Sequence, residues 1–257
     1  MGSIVSSAEN ALWSEAGDMA LSFLRRRHLA DDTIRRAHLG WVSEDLNIDA
    51  GNLNIGRARV WIPSGLVIPC YSSPDVLSRV RIRCADGPRR YVVASGSSSA
   101  PMILPCSSAS AAAVVVVESE LDAILLGQEL GDLVSVVALG TAAAKPTTEL
   151  DALVKGAPVA LIALDADAAG NEAALFWTGH YTNARRLTPA GAKDPSAMVE
   201  AGINLFEWFV AGLLNDADLF ERWSERSAIM EYDGGMVRRE AEHAALIDVR
   251  KNQCTQS

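Results

Sequence analysis

Five carboxylates stand where apolar runs give way to loops: Glu118, Asp122, Asp165, Asp167 and Asp194. Glu118 ends the run Val114 to Val117, and Asp122 follows one helical turn later, on the side that can face back toward the strand end. Asp165 and Asp167 end the run Pro158 to Leu164, and because strand side chains alternate, i and i+2 point the same way. Asp194 closes the next connection, beside Lys193. Converging carboxylates repel one another unless a cation neutralises them, and a set of hard oxygen donors suits magnesium, or manganese in its place. One or two such ions beside a triphosphate would orient an attacking hydroxyl, stabilise charge on the attacked phosphate and hold the departing pyrophosphate. A lone Asp after a strand is more often a helix cap than a ligand. The metal reading rests instead on Asp165-x-Asp167 before Ala-Gly, with Glu118 at the matching place one strand earlier.

The elements that must position these residues follow from hydrophobic periodicity. Past about residue 110 the pattern is strand, helix, strand, helix. Val114–Val117 is a continuous apolar run and Val134–Leu139 and Pro158–Leu164 are the next apolar runs, with a helix after each and a fourth strand at Ala184–Leu187. Thr147 or Thr148 can cap the second helix and Gly156 can end it. Apolar runs alternating with helices predict a parallel sheet covered on both faces, with the acids at its carboxyl edge. Ahead of this, a helix is expected over about Ala8–Arg27 and a short one begun by Asp31 or Asp32, then a loop from Asn47 to Gly56. Leu66–Cys70, Val76–Arg83 and Tyr91–Ala94 read as strands, the last two joined by an Asp86-Gly87-Pro88 turn. Within them Val80-Arg81-Ile82-Arg83 has a period of two, giving an antiparallel sheet with one basic face. The expected class is α/β: an arginine-bearing α+β lobe over 1–110, a Rossmann-like sheet domain over 111–202 and a helical tail over 203–257, with Asp233-Gly234-Gly235 dividing the tail.

The charge follows this division. Of 257 residues, 23 are basic and 32 acidic, a net −9 that at first argues against a nucleic-acid-binding surface. Up to Cys106, however, the chain holds twelve arginines, no lysine and ten acids, so the deficit lies wholly in the remainder. Ser107–Ala113 is small and polar enough to be a junction. The longest aliphatic run, Ala111–Val117, is far shorter than the roughly 18 residues that span a bilayer. The first thirty residues lack the apolar core of a secretory leader, so a cytoplasmic location with no membrane partner is expected. Cys70, Cys84, Cys106 and Cys254 form no Cys-x-x-Cys pair, and no zinc site is expected in this chain.

At this point the motifs resemble a known family. Val114–Gln128, VVVVESELDAILLGQ, is similar to the first motif of the TOPRIM domain, a strand followed by Glu-Gly-x-x-Asp. Asp165-Ala-Asp167-Ala-Ala-Gly170-Asn-Glu-Ala173-Ala174 resembles the Asp-Gly-Asp-x-Ala-Gly-x-x-Ala-Ala stretch of DnaG-type bacterial primases. Leu139-Gly140-Thr141 resembles the loop between those motifs, and Lys193-Asp194-Pro195 the later Lys-Asp-Pro-Asp element. Further forward, Phe23-Leu24 with Leu29-x-x-Asp32-Thr33-Ile34, Val67-Ile68-Pro69 and Arg90-Tyr91 are similar to the helices and sheet that open the primase core. The resemblance implies a primase catalytic core, of the kind carried by a plasmid, phage or integrated element, that makes short primers on single-stranded DNA from nucleoside triphosphates.

It further implies magnesium or manganese on Glu118, Asp122, Asp165, Asp167 and Asp194, with Glu118, Asp165 and Asp167 catalytic. Arg81, Arg83, Arg90, Tyr91 and Lys193 would bind template or nucleotide, the guanidiniums as bidentate phosphate donors. A replicative helicase or a separate zinc-binding module would be further partners. Ser119, Ala166 and Ser196 depart from the family pattern, where Gly, Gly and often Asp stand. Two alternatives therefore stay open: a metal-dependent nuclease on the same domain, and a primase-like protein that binds single strands without chemistry. A topoisomerase would need a large separate tyrosine-bearing domain. Phosphate-transfer folds whose Asp-x-Asp supplies a covalent nucleophile normally carry it near the chain start, and rank low.

Overall fold

The computed structural model describes residues 2–49, 59–73, 76–108, 111–141 and 143–254. The chain forms two compact units, Met1–Ile203 and Asn204–Ser257. The first unit opens with helices α1 (Gly2–Leu12), α2 (Asp18–Arg26) and α3 (Asp31–Arg36). The single helix expected over Ala8–Arg27 is thus broken, because Ser14 turns both its backbone N–H and its hydroxyl onto the carbonyl of Ala11 and a one-turn 3-10 segment follows. Asp31 does not cap α3; both of its oxygens accept from Arg25, at 2.9 and 2.7 Å.

Strands β1 (Gly40–Val42), β2 (Leu46–Asp49), β3 (Arg59–Ile62), β4 (Gly65–Ser73), β5 (Val76–Cys84) and β6 (Tyr91–Val93) come next. They make a four-stranded antiparallel sheet ordered β1-β4-β5-β6 and a separate β2-β3 ribbon. The loop expected from Asn47 is strand up to Asp49, paired with β3; its remainder, from residue 50, lies outside the described residues. In β5 the period of two sorts the chain by chemistry. Val80 and Ile82 point into a core with Val5, Ala8, Val42 and Val67, and Arg79, Arg81 and Arg83 take the opposite face.

The remainder of this unit contains β7 (Met102–Leu104), β8 (Ala113–Val117), α4 (Glu120–Leu130), β9 (Val134–Ala138), α5 (Thr148–Gly156), β10 (Ala160–Ile162), α6 (Ala168–His180), β11 (Ala184–Arg186) and α7 (Pro195–Glu200). The sheet order is β11-β10-β8-β9-β7, with β7 antiparallel and the others parallel. Every residue of β8 and β9 is buried, which is why both are apolar but for Ser135, whose hydroxyl accepts from the Cys106 N–H. Residues 102–104, ahead of the Ser107–Ala113 connection, thus supply the sheet's edge strand; 109 and 110 of that connection lie outside the described residues. Thr147 caps α5 and Gly156 ends it.

The second unit holds α8 (Leu205–Leu214), α9 (Ala217–Tyr232) and α10 (Arg238–Cys254), with Asp233-Gly234-Gly235 between the last two. Trp223 of α9 is buried and its indole N–H donates to the carbonyl of Glu242 on α10. No helix among the described residues is long and apolar enough to cross a membrane.

Candidate active site

Two strand-to-helix turns at the carboxyl edge of the parallel sheet carry the acids. At the end of β8, Ser119 is the N-cap of α4: its hydroxyl accepts from the Asp122 N–H at 3.2 Å and donates to an Asp122 carboxylate oxygen at 2.6 Å. The other Asp122 oxygen receives Arg27 at 2.9 Å, so both oxygens of this buried carboxylate are engaged by protein donors. Glu118 keeps its backbone carbonyl on the Gly140 N–H. No ion pair to its carboxylate occurs among the described residues.

At the end of β10, Asp167 is the N-cap of α6 and accepts from the Gly170 N–H at 3.0 Å. A Cβ on Gly170 would lie 2.1 Å from the backbone oxygen of Asp165, so the Asp-x-Asp-x-x-Gly spacing reflects a helix start pressed against the strand end. Arg186 braces that end from β11, donating to the carbonyls of Ile162, Leu164 and Asp165. The backbone N–H of Ala166 donates to the carbonyl of Lys193, which brings the Lys193-Asp194 loop alongside. Lys193 Nζ then lies 3.3 Å from Asp165 and 3.1 Å from Asp167. Asp194 caps α7 through the Ala197 N–H at 2.8 Å.

These turns open onto a cavity of about 200 Å³ lined by Arg27, Arg81, Arg90, Tyr91, Glu118, Ser119, Asp122, Gly140, Asp165, Lys193 and Asp194. Of the residues singled out from sequence, Glu118, Asp122, Asp165, Asp194, Arg81, Arg90, Tyr91 and Lys193 share this one lining. Asp167 stands at its margin, joined through Lys193. Arg83 does not line it; its guanidinium lies 4.4 Å over the ring of Phe23. Three further charged residues, Arg27, Arg79 and Glu120, belong to this arrangement without having been marked by any motif. Arg27 pairs with Asp122, and Arg79 and Arg81 both bind Glu120, whose side chain is only 1% exposed. The one available signal was the alternation of β5, which extends a step back from Arg81 to Arg79.

Burial and like charge shape the electrostatics. Burial, then the charges of Asp165 and Asp167, push the Glu118 carboxyl above its ordinary range, with Lys193 and Arg81 opposing. Burial raises Asp165 as well, against the hydrogen bond from Lys193. Asp167 is held low, first by the Gly170 N–H and then by Lys193. Burial dominates at Asp122 and lifts it to about 6 despite Arg27.

The fit to a divalent cation can be judged from this donor set. Among the described residues, no three His, Cys, Asp or Glu side chains form a ready-made ligand group. Asp165 and Asp167 are nonetheless placed so that one positive charge, here the Lys193 ammonium, spans both. Magnesium ordinarily takes one or two carboxylates, completing its shell with water and substrate phosphate. The open pair fits that pattern, with Glu118 and Asp194 on the same lining; Asp122, already bonded twice, has the least left to offer.

No family model matches the chain, and no curated protein does. Among solved structures it is similar to a DnaG catalytic core, at 16% identity and a TM-score of 0.63 over 96% of this chain and 89% of that one. A DnaG primase catalytic domain bound to single-stranded DNA matches at 14% identity, with a TM-score of 0.62, over 98% and 95% of the two chains. A DNA primase domain from Pseudomonas aeruginosa matches at 20% and 0.58, over 96% and 94%. The mixed α/β fold is therefore that of the DnaG primase catalytic core.

Proposed function

We propose that this chain is a DNA primase catalytic core, a nucleotidyltransferase that builds short primers on single-stranded DNA from nucleoside triphosphates. The observation that carries the reading is the cavity whose one lining brings the acids Glu118, Asp165 and Asp194 together with the cations Arg81, Arg90 and Lys193. A triphosphate needs both: cations for its oxygens and carboxylates for the metal it carries. Two structural neighbours support the choice of partner, one being bound to single-stranded DNA and another to a double-stranded DNA with a 6-nucleotide overhang.

In this reading Arg90, exposed at the cavity rim, meets the incoming phosphates first, and Tyr91 offers an aromatic face beside it. Lys193 would leave the two aspartates for a phosphate oxygen, a move its half-exposed side chain permits. Asp165 and Asp167, with Asp194 on the cavity lining, would hold magnesium or manganese, which would supply charge neutralisation at the attacked phosphate and leave Glu118 for the proton. Glu118, raised above its ordinary range and free of an ion pair among the described residues, is suited to take the proton of the attacking 3′-hydroxyl at its carboxylate. The α-phosphate then gains the new P–O bond and pyrophosphate leaves.

The test is incorporation of labelled nucleotides on mixed-sequence single-stranded templates, with magnesium or manganese and with ribo- or deoxynucleotides. Short labelled products with one pyrophosphate released per phosphodiester bond formed are expected. Degradation of the template without incorporation would instead make the chain a nuclease, and salt-sensitive strand binding with neither reaction would make it a binding module.

A further inference from the structure

Glu120 is a carboxylate that the chemistry above does not use. It begins α4, two residues past Glu118, and its side chain is 1% exposed. Such a group costs free energy unless fully paired. Arg79 Nη2 reaches one oxygen at 2.9 Å, and Arg81 Nη1 reaches both, at 2.7 and 2.8 Å. Arg79 is itself fixed, by the Ala100 carbonyl at 2.9 Å and the Cys70 sulfur. Arg81 carries the arrangement into the cavity: its Nη2 donates to the Gly140 carbonyl at 2.8 Å and its guanidinium lies 4.2 Å over the Tyr91 ring. Gly140 has φ +79°, and a Cβ there would stand 2.9 Å from Arg81 Nη1, so the close approach depends on the absence of a side chain.

We propose that Glu120 is a positioning residue for nucleotide binding: it tethers Arg81, and through it Tyr91, at a fixed place in the lining they share with Glu118, while Arg79 offsets the tether's charge so that this part of the cavity stays cationic. Two guanidiniums on one carboxylate leave a net positive charge, whereas Glu120 with Arg81 alone would leave none. The tether also joins β5, which bears Arg81, to the turn that bears Glu118, so a buried side chain helps to fix the place of Arg81 relative to that turn. This inference rests on the reading of the cavity as a triphosphate site.

Glu120→Gln separates positioning from charge. It adds a net positive charge beside the cavity, so a purely electrostatic role predicts tighter binding of ATP with magnesium, and a structural role predicts lower thermal stability with affinity unchanged. Positioning predicts weaker binding by calorimetric titration, on the order of tenfold, the lower end of what losing an outer-shell partner costs. Glu120→Asp, which keeps the charge and shortens the tether, is expected to weaken binding too and serves if the first variant does not fold. Either folded variant binding ATP as well as the wild type, or better, overturns the proposal. A wild type that binds ATP but makes no primers would refute primer synthesis while the binding series still judges the tether; one that binds no triphosphate overturns both.

Discussion

The turn after β8 and the turn after β10 are built alike and held differently. Each ends a buried parallel strand in an acid, and each caps the following helix with a side-chain oxygen, from Ser119 in one case and Asp167 in the other. At the first turn the neighbouring acids are buried and tied to arginines from elements far earlier in the chain: Asp122 to Arg27, and Glu120 to Arg79 and Arg81. At the second, Asp165 and Asp167 share one lysine whose side chain is 53% exposed. A buried guanidinium pair is costly to break, since either partner left alone is an uncompensated charge. A partly exposed ammonium is held weakly and exchanges easily. The first turn is thus an anchor in which Asp122 and Glu120 are committed to arginines, and at the second the two aspartates are held only by a half-exposed, displaceable lysine.

Breaking the anchor has the largest expected effect. Arg27→Met leaves the Asp122 carboxylate buried with only Ser119 as partner, and should cost about 3 to 5 kcal/mol of stability in denaturant unfolding. A loss below about 1 kcal/mol, the range of exposed pairs, would erase the distinction between the two turns.

The pH dependence of Asp122 sharpens the same point. Its folded value of about 6 lies above the ordinary 3.8, so the unfolded chain gives up this proton first. Ionisation then penalises the fold as pH rises from near 3.8 through 6, and the penalty is complete above that window. Asp122→Asn does not titrate. Its stability relative to wild type should therefore improve between about pH 4 and about pH 7.5, by about 2 to 3 kcal/mol at roughly 1.4 kcal/mol per unit, measured by unfolding at both pH values. A difference that stays constant across that range would contradict the assignment.

The exchangeable turn behaves oppositely. Lys193→Met removes the ammonium competing for Asp165 and Asp167, so manganese, followed by its paramagnetic resonance without nucleotide, should bind about three- to tenfold more tightly through reduced charge competition. Unchanged or weaker binding would mean that the lysine does not occupy the cation's place. The smallest effect is expected at the cap. Ser119→Ala should cost about 1 kcal/mol, and, by removing a hydrogen bond that favours the charged form, should move the Asp122 transition further up.

The contrast also marks what the amino-acid sequence reveals. The runs Val114–Val117 and Pro158–Leu164 and the acids that end them were legible because burial on both faces and helix capping are local patterns. The cavity gathers eight of the ten residues those patterns and the family resemblance singled out. The anchor was not legible: Arg27 and Asp122 are 95 positions apart, and Arg79 and Glu120 41, so nothing local distinguishes them from solvated charges. Arg83 shows the converse. It shares the face of β5 with Arg81, yet the aromatic ring of Phe23 on α2 takes its guanidinium, a contact that alternation along one strand does not encode. The β2-β3 ribbon escaped for a similar reason, since each strand is short and is specified by its partner.

The central claim, that the edge formed by Asp165 and Asp167 performs nucleotidyl transfer, is tested most directly by primer synthesis with an Asp165→Asn, Asp167→Asn double variant beside the wild type. The amide oxygen that replaces the Asp167 carboxylate can still accept the Gly170 N–H, so the helix start should persist, and a near-native circular dichroism spectrum checks this. Losing several kcal/mol of transition-state stabilisation corresponds to a fall in rate on the order of a hundredfold or more. The account predicts that fall, with template binding retained. A folded double variant that makes primers at the wild-type rate would contradict it.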